Sequence, residues 1–433
     1  MQVFRRLLVN TLLANTANNF LWFALTFWAY LETKSVLATS IIGGSYMAIA
    51  SIVGIFLGSI VDHNPKKKAM LGSTVVSLIC YVLALLSYLA IPPHDRLDLA
   101  TLPFWSLVFF TLVGAIAGGV RNIALSTLVT ALVDESVRDR ANGMVGTVQG
   151  VGFAITSVFS GLAIGFLGMG WCLGIVLFLS LVAILHLASI RFDEVKSEET
   201  SDEPKKVDLK GTLRVIGSVP GLMALILFAT FNNFLGGVFM SLMDPYGLSL
   251  VSVEVWGFIW GFLSLAFIAG GIVVARRGLG KKPLRSLLLA NVVMWVICIL
   301  FPMRSSIVML TAGIFVYMCL MPMCEAAEQT LLQTVVPHER QGRVFGFALT
   351  VETAASPITA FIIGPVAQYW VIPFMNGGAG SQTIGSWFGT GPERGMALIF
   401  VCAGIIGLIV TILAMQSGSY RSLSKHYESA LNA

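Results

Sequence analysis

Long apolar runs dominate the chain, and no soluble globule could bury so many of them. Twelve stretches of about 20 residues or more lie near 7–31, 37–61, 69–91, 104–133, 141–167, 170–190, 219–243, 254–275, 286–303, 306–336, 343–370 and 395–415. Each is long enough to cross a bilayer as a helix. Hydrophobic residues make up 56% of the 433 positions and charged ones 11%, which excludes an ordinary water-soluble domain. Inside a bilayer no water serves the backbone N–H and C=O groups, so each run must satisfy its own as a helix. The expected fold class is an all-α membrane protein with twelve transmembrane helices.

Basic residues set the orientation, because Lys and Arg are retained on the cytoplasmic side. With both termini inside, 22 of the 27 Lys and Arg fall in cytoplasmic segments; Lys34, Arg96, Arg304 and Arg394 fall outside and Arg121 falls within a span. The expected location is the cell membrane, multi-pass, with cytoplasmic N- and C-termini. The net charge of +5 then reports orientation, and nucleic acid is not an expected partner. Arg5 and Arg6 lead into a run too long for a signal-peptide core, so the first helix is expected to stay as an anchor. The six cysteines, at 80, 172, 298, 319, 324 and 402, lie within spans without metal-ligand spacing. Neither a disulfide framework, a metal site nor a cofactor is expected.

One short stretch recurs. Thr16 to Leu21 reads "TANNFL" and Thr230 to Leu235 reads "TFNNFL", at an offset of 214. The loops after the second and eighth runs end in Lys67-Lys68 and Lys281-Lys282, again 214 apart. Thr127-Leu128 near the end of the fourth run matches Thr330-Leu331 near the end of the tenth. Between the halves, "RFDEVKSEETSDEPKKVDLKG" breaks the apolar pattern with charges of both signs and reads as a solvated linker. The expected organisation is a six-helix bundle over 1–190, a cytoplasmic linker over 191–212 and a second bundle over 213–433. Parallel six-helix repeats are a transporter plan with a binding site near the midplane.

The segment "GSIVDHNPKKKAM" resembles the Gly-x-x-x-Asp-Arg-x-Gly-Arg-Arg loop of the major facilitator superfamily. Gly58, Asp62, Lys66 and Lys67 fit it, while His63 and Pro65 stand where Arg and Gly are usual. "DRANG", opening the fifth run, resembles the macrolide and multidrug efflux branch, of the drug:proton antiporter type. That branch carries a Gly-Pro in its fifth helix where this chain has Thr156-Ser157; a Gly-Pro occurs instead as Gly364-Pro365. The resemblance implies two pseudo-symmetric bundles and a central cavity lined by spans 1, 4, 7 and 10. It also implies a conformational-gate role for Gly58, Asp62, Lys66 and Lys67, with Asp62 near the start of span 11 around Gly342-Arg343.

Charges are costly in hydrocarbon and mark function by default. Four lie mid-span: Arg121, Glu325, Glu328 and Glu352. They are the proton-coupling candidates. Glu325 and Glu328, three apart, share one helical face, and Arg121 is expected to pair across the cavity with one carboxylate while another exchanges a proton. A structural pair between Arg121 and Glu325 is the alternative, and for Glu352 a bond to Ser45 or Ser51. Asn18, Asn19, Asn232 and Asn233 reach the same depth; with Trp22 and Phe234 they are the substrate-cavity candidates. Gly-x-x-x-Gly spacings at 54/58, 146/150, 257/261 and 342/346 allow close helix approach.

These readings point to a monomeric secondary transporter in the lipid bilayer, exporting amphipathic small molecules or drugs in exchange for protons. An importer or facilitator of a specific solute is the rival within transport. A membrane enzyme or lipid flippase is the rival from another class, opposed by the lack of a Ser-His-Asp set, zinc-spaced His or phosphate loop.

Overall fold

A computed structural model of the chain describes residues 2–91, 101–132, 138–190, 209–280, 282–336 and 338–431. Among them, twelve helices have 18 residues or more: α1 (Gln2–Thr33), α2 (Val36–His63), α3 (Lys66–Leu89), α4 (Leu102–Leu132), α5 (Arg138–Phe166), α6 (Met169–Ser189), α8 (Leu222–Leu250), α9 (Val253–Arg277), α10 (Pro283–Leu300), α11 (Ile307–Val335), α12 (His338–Pro365) and α16 (Pro392–Gln416). The short helices are α7 (Leu209–Ser218), α13 (Ile372–Met375), α14 (Ala379–Thr383), α15 (Gly385–Phe388) and α17 (Gly418–Leu431). The all-helical membrane fold expected from the apolar runs is therefore present.

Local chemistry explains several boundaries. Ser35 caps α2, its hydroxyl accepting from the Ala38 amide at 3.2 Å, and Ser306 caps α11 in the same way through Met309. Gly168 at φ +81 makes the break between α5 and α6, a conformation that a Cβ would strain. Pro283 starts α10, where its missing N–H costs nothing. Ten of the long helices contain an apolar window long enough to span hydrocarbon. α1 falls short because Asn10, Asn15, Thr16, Asn18 and Asn19 interrupt it, and in α5 the apolar stretch is Gly150–Phe166.

The chain divides into two compact units, Met1–Asp202 with Val251–Phe262, and Glu203–Leu250 with Leu263–Ala433. In the first, α1 packs on α4, α5 and α6, and α3 packs on α4 and α6. Its core joins Phe4, Leu7, Met70, Val120, Leu125 and Leu187. The segment Val251–Phe262 joins this unit through Gly257, whose Cα lies so close to Gly161 of α5 that a Cβ on Gly161 would meet it at 3.1 Å. Lys66 and Lys67 tie the turn between α2 and α3: Lys66 Nζ donates to the Val61 carbonyl at 2.5 Å and Lys67 Nζ to the Ile190 carbonyl at 2.5 Å. The contacts of Gly58 and Asp62, and those of Gly342 and Arg343, lie outside what the structure describes.

In the second unit α8 packs on α12 and α16, and α10 on α11 and α16. The expected linker lies outside the described residues up to 208, but its last positions are already helical. α7 begins at Leu209 because "LKGTLRVIGS" is amphipathic, with Ile216 fully buried and the helix packed on α12. At the other end α17 inserts Leu423 and Tyr427 into a core that includes Leu222, Leu284 and Leu331. Lys282 and Glu428 add an exposed ion pair at 3.4 Å, worth roughly 0–1 kcal/mol.

Candidate functional site

Each Asn pair is held by the same device. Tyr81 of α3 donates its hydroxyl to Asn18 Oδ1 at 2.7 Å, and Trp295 of α10 donates its indole Nε1–H to Asn232 Oδ1 at 3.1 Å; in both cases the partners stand 63 residues apart. Tyr81 and Trp295 are themselves separated by the repeat offset of 214. A carboxamide in hydrocarbon needs a partner, and an aromatic donor supplies one without adding charge. The device extends to the backbone: Ser160 of α5 donates to the Phe20 carbonyl at 3.0 Å and Ser356 of α12 to the Asn233 carbonyl at 2.7 Å.

In the first unit α4 approaches the clamp closely. Gly114 and Gly118 of α4 face it; a Cβ on Gly118 would collide with Asn18 Nδ2, and one on Gly114 would lie 2.5 Å from the Tyr81 ring. Glycine is what lets α4 lie against α1 and α3. One turn on, Asn15 Nδ2 donates to Asn122 Oδ1 at 2.9 Å. Arg121 points into the interior, 1% exposed, where Nη2 donates to Thr74 Oγ1 at 2.5 Å and Nη1 to Asn10 Oδ1. Asn10 is oriented in turn by donating Nδ2–H to the Ala183 carbonyl at 2.7 Å. Among the described residues the hydrogen bonds of Arg121 thus go to neutral groups of α1 and α3. Trp22 packs its ring against that of Tyr46, with centroids 4.5 Å apart.

In the second unit the equivalent space is a cavity of about 200 Å³. At the positions matching Gly114 and Gly118, offset by 203, stand Tyr317 and Met321 of α11. These large side chains hold α11 off α8 and form the cavity wall with Leu225, Phe228, Asn232, Asn233, Asn291, Met294, Trp295, Cys324, Glu325 and Glu328. Four sequence candidates therefore meet in one chamber: Asn232, Asn233, Glu325 and Glu328. Among the described residues, no basic side chain lines it. Asn232 and Asn233 also donate to the carbonyls of Phe228 and Ala229 on their own helix, at 2.9 and 3.1 Å, which leaves one amide N–H of each for another acceptor.

Glu352 of α12 is not in the cavity wall but lies close to the Glu328 carboxyl of α11. Its Oε1 is buried and has no hydrogen-bond partner among the described residues. Phe234 is half-buried on α8 outside the cavity lining. Sequence reading missed Tyr81, Trp295, Asn10, Thr74, Asn122 and Asn291. Carrying the 214-residue offset onto the third and ninth spans would have found the first two, while the neutral partners of Arg121 carry no signal of their own.

The sequence profile of the Major Facilitator Superfamily matches residues 7–360. Among solved structures, the chain is similar to the inward-facing, unoccupied form of a bacterial homolog of the human lysosomal transporter Spinster, with a TM-score of 0.66 and 15% identity over 99% of this chain and 98% of that one. It is also similar to the nucleoside transporter NupG, with a TM-score of 0.68 and 13% identity over 96% and 100% of the two chains. For a D-xylose-proton symporter the values are 0.65 and 13%, over 92% and 96%. At such identities the likeness is one of fold. No curated protein sequence matches the chain.

Proposed function

Because the chain belongs to the Major Facilitator Superfamily, we propose that it is a secondary transporter that exports amphipathic small molecules across the cell membrane in exchange for protons. The observation that carries this reading is the cavity itself: Asn232, Asn233, Glu325 and Glu328 line it, no basic side chain among the described residues lines it with them, and Glu352 lies close to Glu328. Two carboxylates in contact repel strongly where the dielectric is low, so the pair is stable when a proton lies between them. Opening of the chamber to water, or arrival of a positive charge beside Glu325, removes the reason for holding that proton.

The wall suits a substrate with an aromatic or aliphatic body and a polar, basic end. Phe228, Met294, Trp295 and Met321 supply apolar surface, and the free amide hydrogens of Asn232 and Asn233 supply orientation. In this scheme Glu325 meets substrate and Glu328 with Glu352 carries the proton. Arg121 keeps α1, α3 and α4 together and takes no part in the exchange. Lys66, Lys67, Gly58 and Asp62 act in the conformational gate, by resemblance to the family loop.

Import of a neutral solute with protons is the second reading, favoured by Thr156 and Ser157 in place of the efflux Gly-Pro and by fold likeness to the xylose symporter. Drug susceptibility separates the two. Cells expressing the wild type are expected to tolerate a panel of amphipathic cations better than cells expressing Glu325→Gln. Equal tolerance across the panel removes the export proposal. Proton release on adding such a compound to the purified transporter tests the coupling, and an unchanged proton count between pH 6 and pH 8, roughly two units around neutrality, removes it.

A further inference from the structure

Beyond the cavity, the segment that follows α12 carries its own information. The apolar stretch Val344–Met375 runs for 32 residues without leaving helical conformation. At ~1.5 Å per residue that is about 48 Å, while hydrocarbon is ~30 Å thick and the bilayer with its headgroups ~40–45 Å. The end of α12, the π-helical turn Val366–Val371 and α13 therefore cannot lie in the hydrocarbon. They pass into the headgroup layer opposite the chain termini.

Water is the ordinary environment for such an extension, yet no acidic or basic residue occurs from Thr353 to Pro392. The cap formed by α13, α14 and α15 exposes aromatic rings instead. Tyr369 is 62% exposed, Trp370 73% and Trp387 66%. A solvated loop of this length would carry charge, and large exposed indoles would be a liability there. Indoles and phenols favour the membrane interface, where an apolar ring and a polar N–H or O–H are both satisfied.

The cap is also rigid enough to act as a unit. Arg394, 1% exposed, lies with its guanidinium 4.0 Å over the Phe388 ring and donates Nε–H to the Phe388 carbonyl at 2.5 Å. Its Nη2 donates to the Met303 carbonyl at 3.1 Å, joining the cap to the turn that follows α10. The Gly391 amide donates to the Met375 carbonyl at 3.1 Å and closes the base of the cap.

We infer that the cap Tyr369–Gly391 is an interfacial anchor that docks on phospholipid headgroups of the leaflet opposite the termini, with Trp370 and Trp387 as its inserted rings. Docking fixes the depth of α12. The anchor thereby sets the height at which Glu352 stands relative to the bilayer.

The test uses the full chain in phospholipid nanodiscs. Tryptophan emission is compared between wild type and the single variants Trp370→Phe and Trp387→Phe, with lipids brominated near the headgroup end of the acyl chain, lipids brominated near its tip, and iodide in the water. The difference signal from each tryptophan is expected to be quenched by shallow bromine at least twofold more than by deep bromine, and to be largely shielded from iodide. Ready quenching by iodide with no response to bromolipid would make the cap an aqueous lid and overturn the anchor. Preferential quenching by deep bromine would overturn it as well, by placing the rings in hydrocarbon. Phenylalanine keeps the ring volume close to native, and matching thermal unfolding midpoints for variants and wild type confirm that all three compare folded protein.

Discussion

Asn18 and Asn232 are clamped alike, by Tyr81 and Trp295 at 2.7 and 3.1 Å, but what surrounds them differs. Around Asn18, Gly114 and Gly118 let α4 close in and Arg121 spends its hydrogen bonds on Asn10 and Thr74. Around Asn232, Tyr317 and Met321 stand at the matching positions and a cavity of about 200 Å³ remains, with Glu325 and Glu328 in its wall. The contrast teaches that the repeat fixes where polar groups sit, whereas side-chain volume on one neighbouring helix sets how closely that helix can approach them. Small residues bring backbones together and consume the space; large ones prop the helices apart and create it.

The contrast can be broken most directly at its acidic end. Glu328→Gln is expected to lower proton-driven transport in proteoliposomes about 100-fold, the equivalent of ~3 kcal/mol. Asn122→Ala, at the first-unit position that matches Glu325, is expected to lower it less than about tenfold. Comparable losses from the two would mean that both units share the coupling. At the next level of effect, Gly118→Leu forces a side chain into Asn18 and is expected to cost roughly 1–3 kcal/mol of stability. The volume-conserving Met321→Leu should cost under about 1.5 kcal/mol. Thermal unfolding of the two variants in detergent measures the difference, and a Gly118→Leu protein as stable as wild type would show that α4 is not packed tightly against Asn18.

Arg121 sharpens the comparison at a smaller scale. Arg121→Gln leaves Asn10 and Thr74 incompletely satisfied and is expected to cost about 1–3 kcal/mol, while the pH profile of transport stays where it was. A displaced profile would show that the cation acts on the carboxylates of the other unit. The smallest effects belong to the clamps. Tyr81→Phe and Trp295→Phe each remove one hydrogen bond, roughly 0.5–1.5 kcal/mol. The first is expected to appear as lost stability, the second as weaker substrate binding by up to about tenfold in Kd.

Much of this was legible in the sequence, and the reasons for the exceptions are physical. Length and apolarity announced twelve helices, since hydrocarbon tolerates few alternatives. The acids Glu325 and Glu328 stood out because ionisable groups are rare at that depth. Arg121 stood out for the same reason, and its bonds to a carboxamide and a hydroxyl show that neutral groups also satisfy a guanidinium. Asn10 and Thr74 are ordinary residues in an apolar helix, so the string of letters could not nominate them. The Glu328–Glu352 contact depends on which faces α11 and α12 turn to each other. A periodicity so nearly uniform in apolar character does not encode that, and neither α11 nor α12 carries a marked polar stripe.

The last helix has a practical corollary. Leu423 and Tyr427 of α17 sit in the same core as Leu222, Leu284 and Leu331. A chain cut after Gln416 would strip that core of two plugs and bare a greasy cleft. Affinity handles and fluorescent reporters therefore belong beyond Leu431, on a spacer, if the tagged molecule is to stand for the native one.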